Sequence, residues 1–260
     1  MERDELMVID IGNTQTGIGF WKAGTIVDAY RFQSDRDRTA DEWGLWFRWI
    51  LQANRGGPDR LRGVAIASVV PPMTDRIVQA CQKYLGQTPF VIEPGIRTGM
   101  PILYEDPKAV GADRIANAVA AFRELGGPCV VIDLGTATTF DIVSERGEYL
   151  GGVIAPGIEI SADALFQRAA RLPRVEVRRP PGVIGRNTPH AMQAGLFYGY
   201  AGLIERIGRE IQAVLGERTQ FIATGGLAPL LADTSPYMQR IDPLLTLRGI
   251  AYLYEMNQPE

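Results

Sequence analysis

Apolar and polar residues along the chain switch between two rhythms. From Met7 to Ile11 the sequence is apolar except for Asp10, then turns at Gly12 through Asn13, Thr14, Gln15 and Thr16. Gly17 to Trp21 is again β-type. A β-rich run, a glycine turn and a returning run predict a hairpin. Val131-Ile-Asp-Leu-Gly135 repeats Val8-Ile-Asp-Ile-Gly12, and at the same offset Thr16 falls on Thr139. Thr139 to Val143 supplies the returning run. A repeat unit this long predicts a duplicated domain, because solenoid units are far shorter.

The other rhythm is helical. Trp43, Trp46, Phe47 and Ile50 predict a helix over Glu42 to Gln52. Met73, Ile77, Ala80, Cys81 and Tyr84 make a second apolar stripe after Pro71-Pro72. Ile115, Ala116, Val119 and Phe122 make a third over Gly111 to Leu125, stopped by Gly126-Gly127-Pro128. Leu61 to Val70, Phe90 to Ile92 and Phe221 to Ala223 read as strands. Thr188 with Pro189 predicts an N-cap for a long helix reaching about Leu215. Its apolar face is Leu196, Leu203, Ile207, Ile211 and Leu215, and Gly195, Gly199 and Gly202 form a bare stripe where another helix could approach. Strands alternating with helices after each hairpin predict an α/β protein of two lobes with a cleft between them, residues 1–127 and 128–260.

Composition narrows the chemistry. At 260 residues, 46% hydrophobic and 22% charged, the chain holds enough apolar surface to fold without staples. Two cysteines, Cys81 and Cys129, exclude a disulfide framework and read as buried packing thiols. One histidine, His190, argues against a histidine relay and reads as a first-turn residue. The lysines are Lys22, Lys83 and Lys108, and none closes a GxxxxGK[ST] loop. A formal charge of −3 argues against a nucleic-acid partner. The acidic start and the polar residues within Asn187 to Ile204, the longest uncharged stretch, predict no leader and no membrane span. A reducing cytoplasm is the expected setting.

Candidate chemistry gathers at the two Asp-x-Gly turns. Backbone N–H groups in such turns suit phosphate, while Asp10 and Asp133 would repel it unless a cation bridges them. Thr224-Gly225-Gly226 is a third glycine turn, either plain or lining an adenosine pocket. Asp113 opens a helix, so it is either a first-turn acid favoured by the dipole or a base for a substrate hydroxyl. Arg114 beside it suits a carboxylate or a salt bridge. Gly185-Arg-Asn-Thr-Pro189 is a helix start, a cap or an anion site. The cluster Trp43, Trp46 and Trp49 reads as core.

These pieces occur in one order: Asp10-Ile-Gly-Asn-Thr14, Gly111-Ala-Asp-Arg114, Ile132-Asp-Leu-Gly-Thr-Ala-Thr138, Gly151-Gly-Val-Ile-Ala-Pro-Gly157, Gly185-Arg-Asn-Thr188 and Thr224-Gly-Gly226. With Ser68-Val-Val-Pro71 and the spacing from Tyr104 through Pro107, the set resembles the type III pantothenate kinases of the actin/hexokinase/Hsp70-like ATPase superfamily, over about residues 6–250. One departure is Gln15, where many members carry Asn. The resemblance implies two duplicated actin/ribonuclease H-like lobes with the active site in the cleft, and ATP-dependent phosphorylation of pantothenate. It implies that Asp10, Ile11, Gly12, Asn13, Thr14, Gln15, Thr16 and Gly17 form the first phosphate loop and that Thr136 contacts ATP. Asp133 would bind a monovalent cation, potassium or ammonium, and Asp10 would face Mg²⁺ and phosphate. Asp113 would accept the proton, and Tyr104, Gly111, Ala112 and Arg114 would line the pantothenate site. Thr188 would reach pantothenate across a homodimer interface. A non-catalytic regulatory relative of the Bvg accessory factor type is the alternative, although it would not require Asp10, Asp113, Arg114, Asp133 and Thr188 together.

Overall fold

The computed structural model describes residues 3–54 and 56–258. They form two compact units, one built of the residues up to Ala120 together with those from Leu244 onward, the other of Ala121–Pro243.

The first unit is a five-stranded mixed sheet. Strands β1 (Glu5–Ile11), β2 (Gln15–Lys22), β3 (Thr25–Gln33), β4 (Leu61–Ser68) and β5 (Phe90–Val91) lie in the order β3-β2-β1-β4-β5. β1 runs antiparallel to β2 and parallel to β4. Its residues are almost all buried, as a central strand covered on both faces requires. β3 alternates exposed and half-buried residues, as an edge strand does. On one face, helices α1 (Ala40–Asn54) and α2 (Pro71–Ala80) bring Trp43, Phe47, Ile50, Met73 and Ile77 against Met7, Ile9 and Ile11. Only Trp43 of the tryptophan cluster is core. Trp49 is 68% exposed and Trp46 39%, because both point off the buried stripe. α2 starts at Pro71, where a missing N–H costs nothing, and its last turn widens over Cys81–Leu85 before Gly86 (φ +63°) ends it.

The part of helix α3 (Ala112–Leu125) up to Ala120 and helix α6 (Leu245–Met256) complete this unit. α6 lies on the face of Val8: at Gly19 an added Cβ would sit 3.1 Å from both Val8 Cγ2 and Leu247 Cδ1. At Gly249 it would sit 2.0 Å from Ala116 O, so glycine lets α6 touch the α3 backbone. Glu255 on α6 accepts from Trp21 Nε1 (2.7 Å) and Arg62 Nη2 (3.2 Å). The sequence joins this last helix to residues 128–243; its packing groups it with the first unit instead. The boundary also shifts, with the compact second unit opening at Ala121 inside α3 rather than at Pro128.

The second unit repeats the plan. Strands β6 (Cys129–Leu134), β7 (Ala137–Val143), β8 (Tyr149–Pro156) and β9 (Gln220–Thr224) lie in the order β8-β7-β6-β9. β6 is antiparallel to β7 and parallel to β9, as β1 is to β2 and β4. Helices α4 (Ile158–Arg168) and α5 (Thr188–Leu215) cover one face through Ile158, Leu196, Phe197, Ile204 and Ile211. The duplication thus holds at the level of strand order and direction. The repeat register does not hold inside the hairpins. Ile11 pairs with Thr16, but Leu134 pairs with Thr138 across a turn one residue shorter. The counterpart of buried Thr16 is therefore buried Thr138, not Thr139.

Candidate active site

The first hairpin turn is pinned from several sides. Gly12 N donates to Gln15 O (3.0 Å), and a Cβ on Gly12 would lie 2.9 Å from that oxygen. Asp10, half-buried at the end of β1, stands opposite Gly17. Asn13, Thr14 and Gln15 are exposed at the tip, and Thr16 is buried. Ser34, just past β3, clamps the turn: its N–H donates to Thr14 O (2.9 Å), its Oγ donates to Gly12 O (2.7 Å), and Thr16 Oγ1 lies 2.9 Å from that Oγ. Arg36 Nη2 donates to Asn13 Oδ1 (2.9 Å). The sequence reading missed Ser34 and Arg36 because it did not foresee β3. Gln15 pairs with Gln33, and that register alone places residues 34–36 beside the turn.

A cavity of about 700 Å³ opens at the ends of the parallel strands β4 and β5. This is the volume of a small-molecule site, at the strand ends where open α/β sheets take ligands. Ser68 and Val69, Thr74 of α2, Ile92, Lys108, and Gly111 with Ala112 line it. Thr74 Oγ1 donates to Ser68 Oγ (2.6 Å), and Val70 N donates to the same oxygen (3.0 Å). Ile11 O accepts from Val69 N (3.1 Å), tying this wall to the strand that carries Asp10. Lys108 is the only cation among the lining residues.

Asp113 directly follows the lining residues Gly111 and Ala112, but Asp113, Arg114 and Tyr104 are not themselves among the lining residues. Asp113 Oδ1 accepts from Arg114 N (2.8 Å) and folds back over Gly111, where a Cβ would lie 2.5 Å away. Glycine is thus required for the carboxylate to take this position. Burial pushes the Asp113 carboxyl above its ordinary range, outweighing the Arg114 N–H bond and the Arg114 charge. Tyr104 is exposed in the loop before Asp106, whose side chain accepts from Lys108 N. A more open polar hollow of about 580 Å³ beside the exposed Asp41–Lys83 pair contains none of the predicted residues.

In the second unit, Asp133 sits half-buried on β6 with its Oδ1 toward two glycines. A Cβ would lie 3.3 Å from it at Gly135 and 2.6 Å at Gly225, where φ is +91°. The Thr224-Gly-Gly226 turn therefore folds onto the Asp133 hairpin through backbone that only glycine allows. Thr136 is exposed at the hairpin tip, and Gly157 abuts its carbonyl: a Cβ there would lie 2.1 Å from Thr136 O. Thr188 is the first residue of α5, exposed. It is not the cap: Asn187 is, its Oδ1 accepting from His190 N (2.8 Å), because the amide reaches the free N–H one turn on. Among the described residues no group of three or more His, Cys, Asp or Glu could hold a metal ion.

A family profile described as type III pantothenate kinase matches residues 6–210. A type III pantothenate kinase of Koribacter versatilis is 46% identical over 263 residues, covering 97% of this chain and 96% of that protein. One of Moorella thermoacetica is 49% identical over 252 residues, covering 97% of this chain and 99% of that protein. Among solved structures, the activator of the 2-hydroxyisocaproyl-CoA dehydratase from Clostridium difficile with bound ADPNP superposes with a TM-score of 0.56 at 12% identity, covering 97% of this chain and 94% of that one. At that identity the likeness shows the fold alone, and it is the duplicated actin-like one.

Proposed function

The chain belongs to the type III pantothenate kinase family, and from that membership we propose how its residues transfer the γ-phosphoryl group of ATP to the primary hydroxyl of pantothenate. The reading rests most on one observation: the Asp113 carboxylate folds back over Gly111, a residue that lines a cavity of substrate size. Asp113 accepts the hydroxyl proton as the oxygen bonds to phosphorus and ADP leaves. Loss of water at Asp113 raises its pKa from the ordinary value, which strengthens the carboxylate as a base. Gly111, Ala112, Arg114 and Tyr104 line the pantothenate site, and the Arg114 guanidinium suits the substrate's carboxylate.

Asp10 to Gly17 take the ATP phosphates through backbone N–H groups, and Thr136 contacts ATP. Catalysis of this kind is mostly positioning and charge stabilisation. Mg²⁺ would offset phosphate charge, with Asp10 turned toward it. Asp133 is an oxygen donor beside bare glycine backbone, which suits a monovalent cation completed by backbone and phosphate oxygens. The protein works as a homodimer in the cytoplasm. Support for the first comes from Gly195, Gly199 and Gly202, where an added Cβ would meet nothing, and from exposed Tyr198, Val183 and Ile184. Thr188 would then serve the partner's pantothenate. The second is supported by two free, buried cysteines, and no helix among the described residues is long and apolar enough to cross a membrane.

The test is ADP release with ATP and Mg²⁺, with and without pantothenate, in potassium and then sodium buffer. Pantothenate-dependent turnover that needs potassium is the expected result. No turnover from folded protein would favour a regulatory relative or another hydroxyl substrate.

A further inference from the structure

The segment Ser34–Arg38, between β3 and α1, carries two arginines, and Arg76 of α2 reaches it as a third. Each is used differently. The Arg38 guanidinium lies over the rings of Trp46 (4.3 Å) and Trp43 (5.0 Å). Arg76 donates to the carbonyls of Arg36 and Arg38, which fixes the backbone of the segment. Arg36 alone sends its side chain to the first hairpin turn, where Nη2 meets Asn13 Oδ1. Ser34 binds the same turn through Gly12 O and Thr14 O, so turn and segment are one braced piece.

This arrangement supplies what the turn lacks. Asp10 to Gly17 contains a carboxylate and no cation, yet it is read as the seat of a triphosphate. A guanidinium has five N–H donors in a fork that matches phosphate oxygens, and Asn13 uses one nitrogen of an exposed head group. The neighbouring acids do not neutralise it: Asp35 Oδ1 accepts from Asp37 N, and neither forms an ion pair with Arg36 among the described residues. We propose that Arg36 is a phosphate-binding residue for the ATP of this kinase, oriented by Asn13. The inference rests on the reading of Asp10 to Gly17 as the phosphate loop.

The test compares wild type, R36Q, R36K and N13A for binding of ATP and of adenosine, for kcat, and for melting temperature. R36Q is expected to weaken ATP at least about tenfold, the scale of one hydrogen bond to a charged group. It should lower kcat about 10²-fold, as loss of one transition-state donor does. Adenosine affinity and melting temperature should stay near wild type, because adenosine carries no phosphate. R36K should recover part of the loss, and N13A should lose less than R36Q. ATP affinity and kcat within about twofold of wild type in R36Q would overturn the proposal. So would equal weakening of ATP and adenosine with a lowered melting temperature, since that is a folding role. Wild type that binds adenosine but gains nothing from the phosphates would sink the loop reading itself, and this inference with it.

Discussion

Asp113 shows how one side chain links burial, stability and rate. Loss of water raises its pKa, and three influences lower it, the Arg114 N–H, the Arg114 charge and its own backbone N–H; the net direction is up, so desolvation wins. A carboxyl whose folded pKa lies above its unfolded one holds more protons folded than unfolded in the window between them. Its contribution to stability is therefore full below the unfolded value and is lost as pH rises through the folded one. At neutral pH the ionised group is a cost. Asp113→Asn should raise the melting temperature at neutral pH, with the gain shrinking in acid below the ordinary carboxylate range. The same change should cut turnover by about 10²-fold or more, as loss of a positioned base does. Melting curves across pH, paired with kcat, separate the two roles. Near-normal turnover would remove the base, and a gain independent of pH would remove the burial account.

At the scale of elements, the start of α5 gives the sharpest case. Asn187 fixes the first turn with one side-chain bond to His190 N, so Asn187→Ala should cost about 1 kcal/mol and Asn187→Gly a few tenths. Thermal unfolding of both variants checks this; an Asn187→Ala variant as stable as wild type would mean that the cap bond is not what holds the helix end. The sequence placed this helix well but put its cap one residue late, since Asn, Thr and Pro all suit a helix start and only the observed bond chooses among them. Central strands were legible for a clear reason: β1 and β6 are apolar on both faces and end in Asp and Gly. β3 and β8 were not: β3 mixes Asp28, Arg31 and Gln33 with apolar residues, and β8 is broken by Gly151-Gly152 and ends in Pro156, so neither shows a clean alternation of apolar and polar positions. That omission also hid Ser34 and Arg36. Asp113 was visible as a choice between a first-turn acid favoured by the helix dipole and a base; its fold over Gly111 was not legible, because it depends on the backbone geometry of the turn. The matching of Thr16 to Thr139 failed because a repeat of letters does not count turn residues.

For the whole molecule, repetition and its exceptions matter more than any single element. Both sheets share strand order, yet α6 returns from the far end of the sequence to seal the first one, a grouping that its apolar stripe could not specify. The glycines of α5 make a second exception. Each glycine inside a helix costs about 1 kcal/mol relative to alanine, so every one needs a reason. Gly208 has one within the chain, since a Cβ there would lie 2.6 Å from the Tyr237 ring. Gly195, Gly199 and Gly202 have none, because a Cβ at each would meet open space. Their reason must lie outside the chain if it lies anywhere, and the proposed second copy, packed on the stripe, would supply it. Gly199→Leu should then leave the monomer fold intact, or steadier, while blocking close helix approach. Light scattering should show the mass falling from two chains to one. Turnover should fall with it, because Thr188 at the head of the same helix would no longer reach its partner's site. A variant that keeps both its mass and its activity would leave the three glycines unexplained and remove the dimer from this account.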